Sequence, residues 1–157
     1  MCTEQIEIAL MKQAIELAKM AAERGEVPVG ALVVKSDTGE VISSAYNLRE
    51  NGKIATAHAE ILAIEEACRK AGGWRLSGYT LYVTLEPCPM CAGAIILARV
   101  STVVWGVSDP KRGGGSVFNI FGHPGINHHP EIVTGVMESE SLFILRDFFR
   151  RRREGLS

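Results

Sequence analysis

The sequence has no apolar run near the ~20 residues that a membrane-spanning helix needs; the longest candidate, 92–98, stops at Arg99. It has no basic leader, since Glu4 and Glu7 stand where a secretory signal would carry positive charge. It has almost no net charge, −1, so no global field draws it to nucleic acid and any site for a polyanion must be a local patch. Cysteine is scarce, and of Cys2, Cys68, Cys88 and Cys91 only the last two have informative spacing. These absences predict a cytoplasmic protein off the membrane, whose Cys88–Cys91 pair is thiolate chemistry rather than a disulfide. There is no internal repeat, and 157 residues fit one domain, 1–157.

What is present is ordinary globular patterning. Ile8, Met11, Ala14, Ile15, Ala18 and Ala22 recur at three- and four-residue spacing and predict an amphipathic helix over about 4–24. Segments 30–35 and 40–46 are rich in Val, Ile and Ala and flank Ser-Asp-Thr-Gly, which predicts a hairpin. Helical spacing returns over 57–71, with Gly72 and Gly73 as a stop. A strand over 79–85, a small-residue helix over 89–99 and a strand over 102–107 form a crossover unit. A loop over 109–130 holds Gly113, Gly114 and Gly115; a loop that long in a compact domain is usually functional. A strand over 131–136 and a helix over 138–153 close the chain. Alternating strands and helices predict an α/β fold, a mixed sheet of about five strands with helices on both faces, the hairpin supplying the antiparallel part.

Three residues with ligand chemistry fall at two helix starts: His58, Cys88 and Cys91. Free backbone N–H groups and the positive end of the helix dipole favour thiolates there. A structural zinc takes four protein ligands, whereas a catalytic one keeps a position for water. Cys68, ten residues beyond His58, sits about 15 Å along the helix axis and cannot easily complete the set. Glu60, two residues past His58, starts from the same turn but points elsewhere, as suits a carboxylate that serves a water rather than the metal. One open Zn2+ site per chain and hydrolytic attack on a carbon bearing an amine follow as expectations.

His58-Ala59-Glu60 followed by Pro87-Cys88-Pro89-Met90-Cys91 matches the H-x-E…P-C-x-x-C signature of zinc deaminases. With Glu26-Val-Pro-Val-Gly30, Asn47, Leu81-Tyr-Val-Thr-Leu-Glu86, His123-Pro-Gly125, Asn127-His128 and Asp147-Phe-Phe149, the chain resembles the cytidine deaminase-like superfamily. Within it, the resemblance is closer to the bacterial tRNA-specific adenosine deaminases. That resemblance implies the three-layer α/β/α fold, conversion of a wobble adenosine to inosine, a tRNA anticodon stem-loop as partner, and a homodimer. It also implies that Asn47 and the 27–30 loop, Val29 included, line the base pocket with help from Asn127, and that Ala59 and Cys88 use backbone N–H groups to hold developing charge. Asp109 and His123 would meet the sugar-phosphate. Ala45, Tyr46, Gly122 and His129 depart from the pattern, where a glycine, a larger aromatic, a more polar residue and an arginine are expected; they flank the zinc set without joining it.

Arg146, Arg150, Arg151, Arg152 and Arg153 make the last helical turns cationic. A solvated helix end complementing the dipole would explain two or three of them. Five in eight residues point to a phosphate contact, with Arg150, Arg152 and Arg153 as candidates. The apolar 92–98 helix is richer than one sheet needs, a second hint of a homodimer. Two rivals stand beside an RNA adenosine deaminase: a free-base or nucleotide deaminase of the same fold, and a non-catalytic zinc module, which would have no use for Glu60.

Overall fold

The computed structural model describes residues 2–155. The elements run α1 (Thr3–Glu23), β1 (Gly30–Lys35), β2 (Val41–Tyr46), α2 (Arg49–Gly52), α3 (Ala59–Ala71), β3 (Tyr79–Leu85), α4 (Pro89–Leu97), β4 (Thr102–Val107), β5 (Glu131–Thr134) and α5 (Glu138–Arg153). One five-stranded sheet has the order β2-β1-β3-β4-β5. The β2-β1 and β1-β3 pairs are antiparallel, and β3-β4 and β4-β5 are parallel. The hairpin therefore supplies the antiparallel half and the crossovers the parallel half.

Strand periodicity of two divides the core. Ala31, Val33, Leu81, Val83, Val103 and Trp105 face Ala59, Ala63 and Ala67 of α3 and Ala92 and Ile95 of α4. Their neighbours Leu32, Val34, Tyr82 and Val104 face Leu10, Met11, Ala14 and Ile15 of α1, with Ile144 of α5 beside them. That alternation makes the sheet the middle of three layers, as strands buried on both faces require. Helices approach the sheet closely at two glycines. A Cβ on Gly30 would run into the Ala14 carbonyl, and one on Gly106 would lie 2.5 Å from Ser141 Oγ.

The predicted elements are present, with shifts at their ends. α4 stops at Leu97 rather than residue 99, because Arg99 takes a left-handed φ of 60°. β5 ends at Thr134, ahead of Gly135 at φ 82°. The four-residue α2 was not predicted: it is too short to show an apolar period. Among the described residues no helix is long and apolar enough to cross a membrane.

Candidate metal and active site

Two helix N-termini converge beyond the ends of β2 and β3. His58 is the residue before α3, extended at φ −73° and ψ 150°, and its N–H is turned back to the Thr56 carbonyl. Cys88 is the residue before α4, extended at φ −71° and ψ 173°, with Pro89 preorganising the first turn. Cys91 lies three residues on, on the face that looks back at Cys88.

His58 Nδ1 stands 3.6 Å from Cys88 Sγ and 3.5 Å from Cys91 Sγ. The three ligand atoms all lie within 4.8 Å of one another. With Zn–N near 2.05 Å and Zn–S near 2.3 Å, the nitrogen–sulfur edge of a tetrahedron is about 3.6 Å, so the donor set fits zinc in both chemistry and spacing. Proton sharing tells the same story. The hydrogen bond from the Cys91 thiol, helped by one from His58, pulls Cys88 down to about 4, and that bond pushes Cys91 up. The bond to Cys88 raises His58. Cys68 is elsewhere, its thiol 3.5 Å from the Trp74 carbonyl, and takes no part.

Glu60, in the first turn of α3, is only 4% exposed, and burial is the main reason its carboxyl is pushed up to about 7. A carboxyl poised near neutrality can both take and give a proton. With His58 and Cys88 it lines a cavity of about 610 Å³, room for a nucleoside-sized ligand. Val27, Val29 and Asn47 form one wall, Asp109 to Arg112 another, and Leu142, Leu145, Phe149 and Arg152 of α5 a third.

The residues singled out from the sequence thus divide into two groups. His58, Glu60, Cys88, Val29, Asn47, Asp109 and Arg152 line the cavity, and Cys91 sits buried behind it. His123 and Asn127 are exposed on the long loop and do not line it; His123 Nδ1 accepts the Gly125 N–H at 2.9 Å. Arg150 and Arg153 lie on the exposed side of α5.

Two of the expected contact groups already have partners of their own. The Ala59 amide does not face the cavity as a free donor: the first helical N–H has no partner within its helix, and Asn47 Oδ1 takes it at 2.8 Å. The arginine tail is not uniformly available either. Arg150 pairs with Asp147 at 2.8 Å and Glu154 at 3.0 Å, Arg151 pairs with Asp147 at 3.1 Å, and Arg152 lies over the Phe148 ring. Of the departures from the family pattern, Gly122 leaves room for Asn119, whose side chain a Cβ there would strike, and His129 Nδ1 sits 2.8 Å from the Phe121 carbonyl. The sequence reading missed Glu26, Glu86, Arg49 and Phe149 as lining residues. An acid closing a strand of apolar residues, as Glu86 does after 79–85, was the available signal.

Comparison with known proteins agrees with this geometry. Residues 4–107 match the cytidine and deoxycytidylate deaminase zinc-binding region. The tRNA-specific adenosine deaminase of Bacillus subtilis (strain 168) is 53% identical over 145 residues, covering 92% of this chain and 89% of that protein. A structure solved in work on A-to-I editing by tRNA:A34 deaminases superposes with a TM-score of 0.82 at 45% identity, covering 86% of this chain and 97% of that one. The guanine deaminase from Nitrosomonas europaea shares the fold, with a TM-score of 0.76 at 24% identity over 90% of this chain and 83% of that one. The chain belongs to the cytidine and deoxycytidylate deaminase zinc-binding family, in its tRNA-specific adenosine deaminase branch.

Proposed function

We propose that this protein hydrolyses adenosine to inosine in tRNA, at the wobble position of an anticodon stem-loop. The observation that carries the reading is the shared cavity: Phe149 and Arg152 of the basic tail line the space into which His58, Cys88 and Glu60 look. A site for a free base has no need of a cationic helix at its rim, whereas an RNA nucleotide brings its phosphates with it.

His58, Cys88 and Cys91 would hold the zinc, whose contribution when bound is to make a water nucleophilic near neutral pH. Glu60 takes a proton from the water that adds to C6 of the extruded adenine and delivers it to the ring nitrogen. A second proton, taken by the same carboxylate from the new C6 hydroxyl and passed to the exocyclic nitrogen, lets ammonia leave as the C6 carbonyl forms. Water and adenosine become inosine and ammonia, and Glu60 ends as it began. Val29 and Asn47 bound the base. Asp109, Lys111 and Arg112 face the sugar-phosphate from the opposite wall, and Arg152 and Arg153 add charge from α5. His123 and Asn127, outside the cavity, would meet nucleotides flanking the extruded one.

We also propose a homodimer and a cytoplasmic location. Met90 and Leu97, seven residues apart on α4, are 38% and 71% exposed, an apolar stripe that the sheet does not cover.

The test is ammonia release from an adenosine-containing anticodon stem-loop against free adenosine, guanine and cytidine. Turnover of the stem-loop and poor turnover of the free compounds is the expected result. A preference for guanine would move the function to salvage of free bases.

A further inference from the structure

Glu86 is 2% exposed, borders the cavity and has no part in the proton transfers above. Its two oxygens are nonetheless saturated with donors. Oε1 accepts the Asp109 N–H at 3.0 Å and the Ser116 hydroxyl at 2.7 Å; Oε2 accepts the Gly115 N–H at 3.0 Å and the Ser116 N–H at 2.6 Å. The next residue along, Pro87, accepts the Gly114 N–H through its carbonyl at 2.7 Å. One short stretch, Glu86 to Cys88, therefore carries a zinc ligand at one end and grips the 109–116 segment at the other.

The glycine run is shaped to this grip. A Cβ on Gly113 would strike the Glu86 carboxylate; one on Gly114 would lie 2.9 Å from the Pro87 carbonyl oxygen and 3.1 Å from that of Cys88; one on Gly115 would lie 3.2 Å from Glu86 Oε2. The loop can lie against the ligand turn only because these three positions lack side chains. Beyond the grip, Asp109 Oδ1 accepts the Lys111 and Arg112 N–H groups at 2.9 and 3.1 Å, fixing the two basic residues of that wall. Glu26, which also lines the cavity, has a similar arrangement, accepting the Glu50 and Asn51 N–H groups.

We propose that Glu86 is a positioning residue for the deamination: it latches the Asp109–Arg112 wall of the cavity to the turn that carries Cys88. This sets the distance between the zinc site and the groups that meet the nucleotide's backbone. The proposal rests on the RNA deaminase reading for its consequence in catalysis, but the latch itself is independent of substrate. A neutral acceptor cannot replace the carboxylate, because the amide of a glutamine turns one of the two accepting atoms into a donor that faces backbone N–H groups.

Glu86→Gln tests it in the zinc-loaded protein, by amide hydrogen exchange and by steady-state deamination of the stem-loop. Exchange at Asp109, Gly115 and Ser116 should quicken by on the order of tenfold or more, while α3 and β3 keep their protection. Zinc stoichiometry should hold, and kcat/KM should fall on the order of tenfold or more, mainly through KM. Glu86→Asp, which keeps the charge on a shorter arm, should recover part of that loss. Unchanged exchange with unchanged kinetics would overturn the latch. So would loss of zinc and kcat with KM intact, since Glu86 would then only scaffold the ligand turn. If E86Q does not fold, Gly113→Ala decides: it presses a methyl group on an intact carboxylate and must give the same exchange and KM changes, whereas wild-type behaviour overturns the proposal. Should the wild-type protein prove inactive on the stem-loop, the tRNA reading falls and exchange alone judges the latch.

Discussion

Asn47 and Ala59 are joined across the cavity floor: the Asn47 side-chain oxygen accepts the first N–H of α3 at 2.8 Å, and its amide nitrogen donates to the Val27 carbonyl at 3.0 Å. One buried side chain thus ties the base-facing loop to the helix that presents His58 and Glu60. Asn47→Ala should depress kcat on saturating stem-loop by about 10- to 100-fold, because a displacement near 1 Å is enough to spoil attack geometry. Zinc should remain bound. Stability should fall by about 1 kcal/mol, the usual effect of losing an acceptor at a helix start. A normal kcat at saturation would remove Asn47 from the machinery.

Glu60→Gln should keep the fold and the metal and lose turnover by about 10²- to 10⁴-fold or more, since an amide of the same shape cannot carry a proton. Burial already disfavours charge at this position, so the neutral amide should be tolerated in the folded state. Circular dichroism, zinc analysis and single-turnover deamination together make the check. A variant with near-normal turnover would refute the proton-shuttle assignment.

Zinc analysis should find one ion per chain, and chelation should lower the thermal midpoint. A ligand that binds only the folded state stabilises by about 4 kcal/mol at a thousandfold excess over its dissociation constant. Cys91→Ser should lower zinc occupancy, while Cys68→Ser should leave it untouched, the Cys68 thiol being turned to the Trp74 carbonyl. Zinc that survives the loss of Cys91 but not of Cys68 would contradict the ligand set.

How much of this was legible beforehand follows from the range of each interaction. His58, Glu60, Cys88 and Cys91 could be read because their chemistry and their helix-start spacing are local. The central strands β1, β3 and β4 could be read because each is buried on both faces and shows as a mostly apolar run, as in 31–34 and 103–105, whereas the edge strands β2 and β5 are partly exposed and carry a weaker pattern. The Gly113–Gly115 run was visible but not its purpose, which depends on Glu86 some thirty positions earlier. The occupation of Ala59's amide by Asn47 was hidden for the same reason. Arg150's pairing with Asp147 and Glu154 was written in its three- and four-residue spacing, yet that Arg152 and Phe149 reach the cavity depends on how α5 packs against β4, which no local pattern encodes.

Leu97→Glu tests the homodimer. At 71% exposure Leu97 contributes little to its own protomer's core, so a charge there should leave the monomer folded. If α4 faces a second copy, the substitution should convert a dimer of about twice 17.0 kDa to a monomer in light scattering at micromolar concentration. A wild-type protein that already scatters as a monomer would count decisively against the pairing.

The arginine tail makes the last prediction, and its pairings make it selective. Arg150 is held by two carboxylates, and this contact keeps the Asp147 carboxyl below its usual range. Arg152 lines the cavity, and Arg153 makes no ion pair among the described residues. Arg152→Ala and Arg153→Ala should therefore weaken stem-loop binding for all sequences alike and each lower the slope of log K against log salt by about one phosphate contact. Arg150→Ala should do less, because its charge is already engaged, although RNA could draw it from Asp147. Turnover of the saturated complex should survive all three, which sets them apart from Asn47→Ala, where rate is lost even when RNA is saturating. If a variant lacking Arg152 and Arg153 bound and deaminated RNA normally at every salt concentration, the tail would be a solvated helix end, and the grip on phosphate would have to come from Lys111 and Arg112 alone.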